Sequence, residues 1–203
     1  MLKARAPAHN VAGRAVPISV APISVAYATL NAGCAFFEQR ADEQPVSDGG
    51  WAHIAHARMT GNRLRELDRF LSVLIEAVAS GLDDRGHDRA GLARLRNTAR
   101  KLRLVEDMTG AASGADARLR AIGRVTACLH HCTGRIHADS IHEDVRIAGG
   151  VAVAGSFSGG SGRLRIEPQT ILAICAFYRD MGDWMLLRTA PARRDLDFAE
   201  SLP

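Results

Sequence analysis

Lysine is nearly missing from this chain: Lys3 and Lys101 are the only two, and arginine supplies the rest of the 26 basic residues. No lysine stands in or after the glycine-rich run Gly155-Ser-Phe-Ser-Gly-Gly-Ser-Gly162. That excludes the nucleotide-hydrolysing phosphate loop, which needs Lys then Ser or Thr at the start of a helix, so the run reads as a plain flexible loop. Aromatic residues make up only 5% of the chain, so the core must be mostly Leu, Ile, Val and Ala. Four cysteines, Cys34, Cys128, Cys132 and Cys175, do not make a disulfide framework in a chain long enough to bury a core without one. They read as buried free thiols. No Ser/His/Asp arrangement and no paired carboxylates stand at the spacing of a catalytic site.

The 203 residues, 47% hydrophobic and 24% charged, suit one globular domain with tails. A net charge of +4 permits contact with nucleic acid without arguing for it.

The element that organises the rest is the stretch Trp51–Leu82. Its residues Leu64, Leu67, Leu71, Leu74 and Val78 recur in steps of three and four, which lays one apolar stripe along a helix. Phe70 and Ile75 widen the stripe, while Arg65, Glu66, Arg69, Ser72 and Glu76 form a solvated side. Such a helix runs roughly 45 Å and cannot bury its stripe alone. A second copy of the chain is the expected cover, with Leu67, Phe70, Leu71, Leu74 and Val78 as the dimer contact.

Residues 1–50 read as an N-terminal tail with a short helix near Val25–Arg40. Lys3, Arg5 and Arg14 precede an uncharged stretch in which Pro17-Ile-Ser-Val-Ala21 repeats at once as Pro22-Ile-Ser-Val-Ala26. Charge followed by apolar residues has the outline of a targeting segment, and Leu30-Asn-Ala-Gly-Cys34 that of a lipoprotein cleavage site. The prolines interrupt the first, and Asn31 replaces the aliphatic residue that the second requires. The same residues count against a membrane span. The expectation is a cytoplasmic protein whose residues 1–45 can be removed with little change in melting temperature.

Past a turn at Asp83–Gly86, a second helix is expected over Asp88–Asp107, antiparallel to the first. Its exposed side carries the basic face Arg94, Arg96, Arg100, Lys101 and Arg103. A third helix follows over Ala115–Thr133 and completes a helical bundle over 51–134. Residues 135–188 read as a small strand-bearing region. Val145–Ile147 and Val151–Ala154 are expected to form a hairpin, Arg163–Ile166 a third short strand, and Pro168 to open a buried helix. Residues 189–203 read as a C-terminal tail. The expected fold class is therefore α+β, mainly helical: an antiparallel helix hairpin or bundle with a small C-terminal β-hairpin region and a final buried helix.

The richest polar cluster runs from Cys128 through His130, His131, Cys132, His137, Asp139, His142, Glu143 and Asp144. Cys128, Cys132 and His137 are the candidate zinc ligands within it, though their spacing is not that of the common fingers. The preferred reading is no metal, with buried thiols and exposed histidines. The basic face could track phosphates, but no aromatic residues interleave it.

Two stretches together resemble a family. Arg118-Leu-Arg-Ala-Ile-Gly-Arg-Val-Thr-Ala-Cys-Leu129 is similar to the second dimerisation helix of HWE-class bacterial sensor histidine kinases. Arg163-Leu-Arg-Ile-Glu-Pro-Gln-Thr-Ile-Leu-Ala-Ile-Cys-Ala176 resembles the strand, proline and apolar helix that open that family's ATP-binding domain. The resemblance spans about Trp51 to Leu187. The family's Glu and Asn that hold magnesium and ATP have no counterpart in Arg179–Trp184, where no Asn occurs, and the later glycine lid is not in this sequence. His56 is the nearest candidate for a phospho-accepting histidine, at the wrong spacing. The resemblance thus implies a non-catalytic helical interaction or scaffold protein in bacterial signalling. It would act as a homodimer that binds a protein partner, with no ATP and no cofactor. The alternative is a nucleic-acid-binding regulator using the Arg-rich second helix.

Overall fold

In a computed structural model of the chain, which describes residues 20–43, 50–82, 89–150 and 162–189, the stripe from Leu64 to Val78 lies at the centre of the molecule. The elements in order are α1 (Val20–Glu38), α2 (Gly50–Leu82), α3 (Arg89–Arg94), α4 (Thr98–Thr109), α5 (Asp116–His131), α6 (Ser140–Gly149) and α7 (Pro168–Thr189). Six of these are ten residues or longer; α3 has six. Among the described residues there is no strand, only an isolated bridge between Arg135 and Arg163. The fold of the described residues is all-helical.

Helix α2 is flanked by α1, α4, α5 and α7 of its own chain. Leu64, Leu71, Leu74, Ile75 and Val78 are fully buried, and Leu67 is 2% exposed. The stripe is as expected. Leu67, Leu71, Leu74 and Val78, expected as a dimer contact, are buried against helices of the same chain. Phe70 alone of that set stays half-buried, at the edge.

Much of the cover comes from α1. Ile23, Ala26, Leu30, Cys34 and Phe37 fall at steps of three and four and pack into the same core as α2. The stretch expected to be a tail with a short helix is, from Val20 onward, a structural helix. Its outer face is uncharged, so no contrast of charge marked the apolar face as an inner one. Residues 1–19 and 190–203 lie outside the described residues. Among the described residues, no helix is long and apolar enough to cross a membrane.

The expected second helix divides. The Asn97 side chain accepts a hydrogen bond from the Arg100 backbone N–H at 3.2 Å and caps a new helix, α4. The consequence is directional. Thr98 meets Asp68, while Lys101 meets Ser72 and Glu76, so α4 advances the same way as α2 across their contact. The helices antiparallel to α2 are instead α5, with Gly61 against Leu129 and His130, and α1, with Gly33 against Leu67 and Phe70 and the Arg40 carbonyl near Arg63. A Cβ on Gly61 would lie 2.9 Å from the His130 backbone N, so the missing side chain sets how closely α2 and α5 approach.

The expected strand Val145–Ile147 is part of α6. Ile141, Asp144, Val145 and Ala148 are buried at helical spacing, and Gly150 (φ 72°) ends the helix. The β-branched residues suggested a strand, but the buried face has a period near four. Val151–Ala154 and most of the glycine run lie outside the described residues. Arg163–Ile166 does alternate, with Leu164 and Ile166 inward, yet it makes only one bridge to the loop after α5. Helix α7 starts at Pro168, as the sequence indicates, and its Ile171, Ile174, Tyr178 and Met185 join the core formed by α1, α2 and α5.

Candidate functional site

The break at Asn97 has a second effect: it opens a cleft between the first turn of α4 and the middle of α5. The cleft has a volume of about 480 Å³ and is lined by Arg96, Arg100, Arg120 and Arg124, with Asn97, Thr98, Gly123 and Asp68 among the other walls. Arg120 and Arg124 share one face of α5 at a spacing of four. Two of the four guanidinium groups are matched by acids. Arg124 donates to Asp144 at 2.8 and 2.5 Å, and Arg120 lies 3.1 Å from Asp116. Arg96 and Arg100 are exposed and have no ion-pair partner among the described residues.

Below them sits a polar chain. Thr98 donates to Asp68 at 2.7 Å, and the fully buried Tyr178 donates to the other Asp68 oxygen at 3.5 Å. Burial raises the Asp68 carboxyl above its ordinary range, and the hydrogen bonds from Thr98 and Tyr178 pull partly against this. Burial also pushes the Tyr178 hydroxyl well up, so it remains a neutral donor. Asp68 beside the N-terminus of α4 is a favourable placement for a carboxylate.

The basic face expected on one helix is dispersed. Arg94 ends α3, Arg96 lies in the connection and Arg100 is in the first turn of α4. Lys101 is 7% exposed and turns inward, donating to Ser72 at 2.8 Å and to Glu76. Arg103 donates to Asp116 at 2.8 Å. Only Arg96 and Arg100 of the five reach the cleft, joined there by Arg120 and Arg124, which sequence reasoning missed. Their spacing of four was the available signal, but nothing in it says which other arginines they will face. Arg118, in the same run, is structural. It donates to the Ala148 and Ala173 carbonyls, both at 2.9 Å, and stacks over Phe177, tying α5 to α6 and α7.

The candidate metal ligands do not converge. Cys128 is half-buried and donates to the Arg135 carbonyl at 3.4 Å, Cys132 caps α5, and His137 is exposed in the following loop. Burial raises the Cys128 thiol above its ordinary range, with Cys132 adding to it. Among the described residues, no three His, Cys, Asp or Glu side chains gather as a metal site. His56 is half-buried near the start of α2. Burial, then the nearby charges of Arg165 and His53, lower its pKa and favour the neutral ring.

A second surface feature is apolar. Pro22, Val25, Ala26 and Thr29 of α1 face Arg69, Phe70 and Val73 of α2 across a groove of about 700 Å³. Val25 is 65% and Val73 48% exposed. At its rim, Arg69 pairs loosely with Glu66 at 3.7 Å, both solvated.

Compared with protein-family models, characterised proteins and solved structures, this chain has no match.

Proposed function

We propose that the chain is a non-catalytic helical interaction module of a bacterial signalling system, which binds an acidic segment of a partner protein in the arginine cleft. The observation that carries this reading is the pair of exposed guanidinium groups, Arg96 and Arg100, unmatched among the described residues and held in one concavity with Arg120 and Arg124. Guanidinium forks bind carboxylates in paired hydrogen bonds, so a concave site of this kind suits a few acidic side chains. Nucleic acid, the alternative, shares the charge but needs a surface that tracks many phosphates. The row that would do so is interrupted, because Lys101 is buried and Arg103 is matched by Asp116. The signalling part extends the resemblance carried by Arg118–Leu129, now most of α5, and by Arg163–Ala176, which runs into α7.

The test is fluorescence anisotropy with a labelled glutamate-rich peptide and with single- and double-stranded oligonucleotides. The peptide should bind the wild-type chain, and Arg96→Glu with Arg100→Glu should weaken binding by at least about tenfold, since charge-assisted hydrogen bonds typically contribute 1.5–3 kcal/mol each. Equal binding by the double variant would overturn the reading. So would tighter oligonucleotide binding with a steep salt dependence, which would favour the nucleic-acid alternative.

The module also pairs with a second copy across the α1–α2 groove, not through the stripe beneath it. Val25, Phe70 and Val73 supply exposed apolar surface, and around a two-fold axis each Arg69 could exchange its own Glu66 for the other copy's. Phe70→Glu should dissociate the pair with helical circular dichroism intact, because an edge side chain can turn to water. Light scattering that finds the wild-type chain monomeric at roughly tens of micromolar would remove this part of the reading.

A further inference from the structure

Two thiols that the proposed function does not use face each other in the core. Cys34 of α1 and Cys175 of α7 are both fully buried in the core that these two packed helices share, near enough for each thiol to shift the titration of the other. Two polar clamps join the same two helices near this level. Arg179 donates to Glu38 at 2.6 Å in a two-pronged pair, and Tyr27 donates to Asp183 at 2.5 Å. These clamps hold α1 against α7 in one register, so the two sulfur atoms stay opposed. The other two thiols differ: Cys128 and Cys132 are half-buried on one helix end, and Cys128 is engaged with a backbone carbonyl.

We infer that Cys34 and Cys175 are a dithiol that a peroxide converts to a disulfide, joining α1 to α7 covalently. The two sulfurs have separate roles. The adjacent Cys175 thiol lowers the Cys34 thiol below its ordinary range, and the Arg179 charge adds to this. The adjacent Cys34 thiol and burial push Cys175 up. Cys34 is therefore the thiolate that reacts first. Its sulfur attacks one oxygen of hydrogen peroxide, the O–O bond breaks, and Cys34 becomes a sulfenic acid; the hydroxide released takes up the proton that Cys34 gave up and leaves as water. The Cys175 sulfur then attacks the sulfenic sulfur, the S–O bond breaks, and the hydroxyl departs with the Cys175 proton as a second water. Two electrons pass from the thiols to the peroxide. Hydrogen peroxide is small and neutral, which suits a buried pair reached through local opening of the structure. Because α1 is one wall of the apolar groove, the bond would fix that wall in place.

The experiment treats the full chain with hydrogen peroxide, alkylates the remaining thiols in denaturant and maps the peptides by mass. The expected product has lost two hydrogen atoms, joins the Cys34 and Cys175 peptides, leaves Cys128 and Cys132 free, and reverts with dithiothreitol. Its melting temperature should rise by several degrees, as a cross-link that constrains the unfolded chain does. Cys34→Ala and Cys175→Ala should each abolish the cross-link, and the wild-type map stands by itself if either variant folds poorly. The inference fails if Cys34 and Cys175 stay reduced while Cys128 and Cys132 oxidise. It fails equally if Cys34 advances to sulfinic acid without joining Cys175, or if the cross-link lies elsewhere.

Discussion

A chain that begins at Gly50 is expected to lose its cooperative melt. Removing α1 takes Ile23, Leu30 and Phe37, each 2% exposed or less, out of the core. Each such side chain contributes about 1.5–3 kcal/mol on burial, so the three together approach the 5–15 kcal/mol that keeps a typical domain folded. The loss does not end there. Leu67 and Phe70 of α2 pack against the α1 backbone at Gly33, and Tyr27 covers Gly182 of α7, so both helices would be bared on that side. The clamps from Arg179 to Glu38 and from Arg63 to Glu43 would vanish with it. This reverses the expectation that residues 1–45 are dispensable. Circular dichroism melts of the shortened chain decide the matter. A cooperative transition within a few degrees of the full chain would mean that α1 is not part of the core.

Leu74→Ala should cost about 2–5 kcal/mol, the usual range for a fully buried leucine whose removal leaves a cavity. Leu74 is 0% exposed and surrounded by the chain's own helices. The midpoint in urea should fall with an unchanged slope, and by the same amount at low and high protein concentration. That independence from concentration separates this variant from Phe70→Glu, four residues away but at the rim of the α1–α2 groove. If the loss at Leu74 grew on dilution, the leucine would be contributing between copies instead of within one.

These two expectations mark where the sequence was legible. Three elements could be read from local pattern alone. The stripe from Leu64 to Val78 placed α2 almost to its ends, since helical periodicity is a property of neighbouring residues. The steps Leu119, Ile122, Val125 and Leu129 placed α5, and Pro168 before an apolar run placed α7. The same kind of signal misled at Val145 and Ile147, where β-branched side chains outweighed a buried period that Asp144 partly conceals: this acid is buried, and Arg124 of α5 pairs with its carboxylate. No local rule contains that partner.

What the sequence by itself determined is which residues of α2, α5 and α7 turn inward, because an apolar face is written in spacing. What only the tertiary structure decided is what each face meets. A stripe attracts any apolar surface, as hydrophobic burial has no direction of its own, and it cannot distinguish α1 of the same chain from a second copy. Likewise Asn97 could be recognised as a residue that caps helices, but the arginine cleft exists because that cap redirects α4 along α2 and leaves Arg96 and Arg100 opposite Arg120 and Arg124. Like charges gather there because the packing of uncharged leucines elsewhere holds both helices in place, a global constraint stronger than the screened repulsion at the surface.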